Sequence, residues 1–129
     1  MKVQLRSTLR KNTPHKIPFQ KIKDEVLGTN YNLSILICSD ALALSINKKF
    51  RKKDYTPNTL SFSYGPHSGE IILNQKQSDK EAASFSHTKF EHFLFLYIHS
   101  LLHLKGYTHG HQMEKEERKL FAKFRNTKA

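Results

Sequence analysis

From Thr88 to Leu104 the chain is apolar on nearly every side: Phe90, Phe93, Leu94, Phe95, Leu96, Tyr97, Ile98, Leu101, Leu102 and Leu104 leave almost no polar face. A helix built from this segment has no stripe to turn toward water, so it belongs in the middle of a core with other elements wrapped around it. Its longest unbroken apolar run is the six residues Phe93 to Ile98, far short of the roughly 20 that a membrane span requires. Gly106 stops the helix, because glycine accepts the left-handed backbone that ends one.

The covering elements can be read on either side. Val3 and Leu5 alternate with Lys2, Gln4 and Arg6, the pattern of a short first strand. Asn12, Thr13, Pro14 and Pro18 then break the chain. Phe19, Ile22, Val26 and Leu27 recur at helical spacing, and Gly28 ends that helix. Tyr31 to Cys38 is β-branched and apolar, as in a buried strand. Asp40 is placed to cap a helix carrying Leu42, Leu44, Ile46 and Phe50. Arg51 to Asn58 is a polar, basic loop. Thr59 to Tyr64 and Gly69 to Asn74 read as two strands around a Gly65-Pro66 turn, and hence as antiparallel neighbours. Gln75 to Ser84 is polar and shows no clear period. Met113, Leu120, Phe121 and Phe124 give a last amphipathic helix, with Glu114, Glu116 and Glu117 early and Lys123 and Arg125 late, as the helix dipole favours. The expectation is an α/β (α+β) fold, one domain over residues 1–129, with a small sheet and one buried central helix.

The charge narrows the partner. Lys plus Arg number 22 against 11 Asp plus Glu, a net +11. A hydrophobic fraction of 37%, with nine Phe and five Tyr, is enough for a modest core and argues against wholesale disorder. A pI near 9.8 points to a polyanion, nucleic acid first. The single Cys38 excludes an internal disulfide framework and fits a reducing compartment. The first residues show no apolar block of signal-peptide length. A small, soluble, cytoplasmic, basic domain with no membrane partner is expected.

Six of the eight histidines lie between residues 87 and 111. His99 and His103 are four apart, so on a helix their side chains rise from one face, a turn apart. Gly106 lets the chain double back, and His109 returns with a third imidazole. Three neutral imidazoles leave one position of a tetrahedral ion open, the pattern of a catalytic zinc site. Water on such an ion loses a proton near pH 7. Zinc, one per chain, is expected, though the same donors suit other transition metals. His92 and His111 read as ordinary, partly exposed histidines, and His15, His67 and His87 carry no pattern. The spacing is also that of metzincin peptidases, which place a glutamate after the first histidine as general base. Here that position is Ser100, which has no group to take a proton from water at neutral pH, so peptidase chemistry is disfavoured.

Lys48, Lys49, Arg51, Lys52 and Lys53 put five cations into six positions. A guanidinium can grip a phosphate bidentately, which singles out Arg51. The four lysines fit either a backbone-binding patch or the solvated end of a helix. Tyr55 and Phe50 offer faces on which unpaired bases stack, with the core the leading place for Phe50.

The segment His99 to His109, HSLLHLKGYTH, resembles the signature of the YbeY family of bacterial ribosomal RNA maturation factors. Asn47 to Asp54 followed by Leu60-Ser61-Phe62, and Gly69-Glu70-Ile71-Ile72, resemble two further blocks of that family in order and spacing. The resemblance runs over roughly residues 30–111. It implies a small mixed sheet packed against helices. It implies a metal, usually zinc, on the positions matching His99, His103 and His109, and a functional arginine at Arg51. It also implies a single-strand-specific endoribonuclease acting in maturation of the small-subunit ribosomal RNA 3′ end and in ribosome quality control. Small-subunit ribosomal proteins and an assembly GTPase are the implied partners. The chain departs from the family pattern at Ser100 (usually Gly), Thr108 (usually Asp), Glu70 (usually Asp) and the order Thr56-Pro57. The segment after Asn74 is also shorter. The alternative to the enzyme is a non-catalytic RNA-binding assembly factor whose metal is structural.

Overall fold

In the computed structural model, residues 2–9 and 16–126 are described. The expected break at Asn12, Thr13 and Pro14, and His15 beside it, lie outside the described residues. The elements run β1 (Gln4–Ser7), α1 (Phe19–Leu27), β2 (Asn32–Cys38), α2 (Asp40–Arg51), β3 (Thr59–Ser63), β4 (Ser68–Asn74), α3 (Gln75–Glu81), a 3-10 turn (Ala82–Phe85), α4 (Lys89–Lys105) and α5 (His111–Phe124). The sheet order is β1-β2-β4-β3. β1 with β2 and β2 with β4 are parallel, while β3 and β4 are antiparallel with Leu60 opposite Ile72. The sheet is therefore mixed, as expected.

The unbroken apolar character of β2 has a direct cause: both faces of the sheet are covered. Leu33, Ile35 and Ile37 of β2, with Ile71 and Leu73 of β4, meet α1, α4 and α5 in the main core. Leu36 and Cys38, with Ile72 and Leu60, face the opposite way and meet Ala43 of α2. Nine residues of α4 are buried, and the helix packs on β3, β4, α1, α3 and α5. Its ends are well defined. Thr88 and Glu91 form a reciprocal capping box at the start, and Gly106 at φ +112° closes the end.

Several expectations are corrected. Asp40 is not the cap of α2: Ser39 holds the extended cap position, and the Asp40 carboxylate accepts instead from Asn74 Nδ2 at 2.9 Å, joining the start of α2 to the end of β4. The buried positions of α2 are Ala43 and Asn47, while Leu42 is exposed. Phe50 is not in the core. It lies on the last turn, beside Phe62 at 6.2 Å, with 61% of its surface in water. Leu5 is likewise exposed, since β1 is an outer strand paired on one side. The polar stretch after Asn74 forms α3, whose start is capped by the Asn74 side chain accepting from the Gln77 amide.

Candidate metal centre

α4 sets the first two imidazoles. His99 and His103 sit one turn apart on it, and their Nε2 atoms approach to 3.0 Å. Gly106 reverses the chain, and His109 brings its ring to 4.7 Å from that of His103 and 5.2 Å from that of His99. One ring nitrogen from each of the three residues lies within 4.8 Å of the others.

Hydrogen bonds decide which nitrogen of His99 and of His103 is presented. His99 Nδ1 is 2.9 Å from the buried Glu117 carboxylate, and His103 Nδ1 is 3.1 Å from the Tyr107 carbonyl. Both partners only accept, so both Nδ1 atoms are donors. Neutral rings held this way turn two Nε2 lone pairs toward each other. Lone pairs 3.0 Å apart repel, and a cation between them satisfies both. The donor set therefore fits a metal ion, with the outer partners that fix imidazole ligands in metal sites. Burial, together with neighbouring His99, pushes the His103 imidazole below its ordinary value and so favours the neutral, ligating form.

The three histidines line one cleft of about 580 Å³. Its walls bring in Arg51 from the end of α2, Tyr55, Asn58, and Thr59, Ser61 and Ser63 of β3. Arg51 donates to the Ser61 carbonyl, and its guanidinium lies 4.9 Å from the centre of the Phe62 ring. The next residue, Lys52, ends α2 in the left-handed conformation at φ +56°. Asn47, buried on α2, donates to the Tyr55 carbonyl at 2.9 Å and fastens the loop that follows. Lys48, Lys49, Lys52 and Lys53 are exposed and do not line the cleft. Lys48 pairs with Asp54 at 3.4 Å, and the Lys49 ammonium sits 5.3 Å from the centre of the Phe50 ring. Among the described residues no carboxylate lines the cleft.

Two residues escaped the sequence reading. Glu117 was legible as an acid on the apolar stripe of α5, four after Met113 and three before Leu120. His92 is fully buried rather than partly exposed. Its Nδ1 meets His87 Nδ1 at 3.0 Å and its Nε2 meets Glu81 at 3.2 Å. The acid that satisfies it ends α3, the helix whose period the sequence did not reveal.

The family model described as Endoribonuclease YbeY matches residues 2–127. The chain belongs to the YbeY family. An Endoribonuclease YbeY of Petrotoga mobilis is 36% identical over 117 residues, covering 82% of this chain and 80% of the relative. That of Helicobacter pylori is 32% identical over 105 residues, covering 75% and 74%. The solution structure of TM1509 from Thermotoga maritima aligns at a TM-score of 0.65 with 20% identity, over 93% of this chain and 87% of that one. It shows the fold. The YbeY fold observed here carries His99 and His103 on the buried central helix α4 and His109 on the turn that follows it. Among the described residues no helix is long and apolar enough to cross a membrane.

Proposed function

We propose that this protein is a metal-dependent, single-strand-specific endoribonuclease acting in maturation of the small-subunit ribosomal RNA 3′ end and in ribosome quality control. The observation that carries the reading is the meeting of three convergent imidazoles and Arg51 in one cleft of a YbeY-family fold.

His99, His103 and His109 would hold the ion, one zinc per chain. Bound there, the ion supplies positive charge against the scissile phosphate and an acidified water. The remaining work falls to the chain itself. Arg51, on another wall of the cleft, presents donors to a phosphate oxygen and offsets the charge that builds there as the nucleophile's oxygen bonds to phosphorus and the bond to the leaving strand oxygen breaks. Glu117 and the Tyr107 carbonyl hold the rings of His99 and His103 in one tautomer. Lys48, Lys49, Lys52 and Lys53 give the RNA backbone a positive approach. Tyr55, with 58% of its surface in water at the cleft wall, offers a face to an unpaired base.

Ser100 takes no part in proton transfer in this reading. It is fully buried, and its hydroxyl lies 2.9 Å from the Leu96 carbonyl and 2.7 Å from the Thr59 hydroxyl. This supports setting peptidase chemistry aside. The substrate is single-stranded ribosomal RNA, small-subunit ribosomal proteins and an assembly GTPase are the partners, and the compartment is the cytoplasm.

The test is metal analysis paired with RNA cleavage. Wild type should carry about one transition metal ion per chain and cut single-stranded RNA. His103→Ala should lose both properties, and Arg51→Ala should keep the metal and lose most of the cleavage. Failure of metal-loaded wild type to cut either free RNA or ribosomes would overturn the enzymatic reading.

A further inference from the structure

The cleft has a third kind of wall that neither the metal chemistry nor Arg51 uses. Phe85 ends the 3-10 turn after α3 and keeps 52% of its surface in water, yet it lines the same cleft as the three histidines. A solitary exposed phenylalanine is ordinary. This one has a backing. Its ring centre lies 4.7 Å from His92, 6.0 Å from His87 and 6.2 Å from Phe95. Phe95 in turn lies 6.3 Å from His99. An aromatic path therefore runs from Phe85 to the first imidazole of the metal centre in two steps.

The path is held in place before any ligand arrives. The turn that carries Phe85 is closed by the Ser86 amide on the Ala83 carbonyl at 3.0 Å and the His87 amide on the Ala82 carbonyl at 2.9 Å. Behind the ring, His92 is anchored by Glu81, which also accepts from Asn58 and Gln77. A ring fixed this way loses little freedom on binding, so more of the contact energy appears as affinity.

We infer that Phe85 is a stacking platform, besides Tyr55, for an unpaired nucleobase of the RNA strand whose phosphate sits between Arg51 and the three histidines. This subsite rests on the endoribonuclease reading and deepens it. A base is the occupant that fits. The strand's phosphate is directed to Arg51 and the histidines, so the next flat, uncharged part of the same polymer falls on the aromatic wall. Stacking on an aromatic side chain is how single strands are held when base pairing is absent, and a duplex cannot offer a free face to such a wall. The subsite would thus make Phe85 a determinant of strand selectivity. Stacking tolerates any base, with the larger purine ring gaining more contact.

The chain contains no tryptophan, so Phe85→Trp installs a single fluorescent reporter. The probes are a phosphorothioate-linked RNA hexamer rich in adenine and an abasic oligomer of the same length, each titrated into metal-loaded protein. The hexamer should quench the Phe85→Trp emission and the abasic oligomer should not. Phe85→Ala should weaken hexamer binding by about tenfold, leave abasic binding unchanged, and keep the wild-type circular dichroism and metal content. Phe85→Tyr should restore the affinity.

Equal hexamer binding by wild type and Phe85→Ala, with the Phe85→Trp emission unquenched, would overturn the subsite and leave the endoribonuclease reading standing. Loss of self-association in Phe85→Ala with RNA binding intact would also overturn it, by reassigning the ring to a protein contact. Failure of wild type to bind either oligomer would overturn both readings together.

Discussion

The hydroxyls of Thr59 on β3 and Ser100 on α4 lie 2.7 Å apart. With the Ser61 hydroxyl on the Ser100 carbonyl at 3.3 Å, they bolt the helix that carries His99 and His103 to the strand that forms the facing wall of the cleft. Ser100→Ala removes the serine hydroxyl from this buried contact and should lower stability by about 1 kcal/mol, read by denaturant titration. Metal content should not change, because the imidazoles are held by other partners.

Glu117 bears on the candidate metal centre through its contact with His99 Nδ1. Glu117→Ala frees His99 Nδ1 and lets the ring rotate or change tautomer. The metal affinity should fall by about 10- to 100-fold, measured by competition with a chromogenic chelator. Glu117→Gln keeps an acceptor at the same distance and should lose less. An unchanged affinity in Glu117→Ala would show that the carboxylate does not orient the ligand.

The lysines beyond Arg51 should reveal themselves in salt dependence. Each phosphate contact to a single strand contributes about 0.7 to the slope of log affinity against log salt. Lys52→Ala with Lys53→Ala should lower the slope by up to about twice that amount and leave metal content intact. A slope identical to wild type would place both side chains outside the RNA path.

His87 should tie stability to pH. Burial, with His92 beside it, holds its imidazole below the ordinary value of 6.5. Glu91 opposes the shift and Arg125 reinforces it. The folded chain therefore binds fewer protons at this site than the unfolded chain does. The stability it brings is present above pH 6.5 and is lost as the pH falls through the lower folded value. Thermal melting of wild type and His87→Gln between pH 5 and 8 should show a shallower acid-side fall in the variant.

Much of this was legible in residues alone, for definite reasons. The central helix declared itself because a segment without a polar face has one place to go. Its histidines declared themselves because a four-residue spacing and a glycine define a geometry without tertiary information. Glu117 was hidden because it follows Glu114, whose place in the first turn of α5 the dipole explains, although Glu117 itself lies beyond that turn. Seeing more required noticing that it falls on the buried stripe between Met113 and Leu120. His92 was misplaced because its partner, Glu81, lies on a helix with no apolar period. Phe50 was misplaced because periodicity cannot tell where a helix runs past the sheet it covers.

Arg51 has a second consequence. The Asn58 carbonyl and the Tyr64 amide are turned toward β4, so by the alternation of an antiparallel pair the Ser61 carbonyl points the other way, along the open border of the sheet. The guanidinium that would grip RNA occupies that carbonyl. Removing Arg51 therefore also uncovers a strand to which another copy of the chain can add its own. Under the proposed role of Arg51, loss of catalysis and gain of aggregation would be coupled at this position, and selection on solubility alone would favour keeping the arginine.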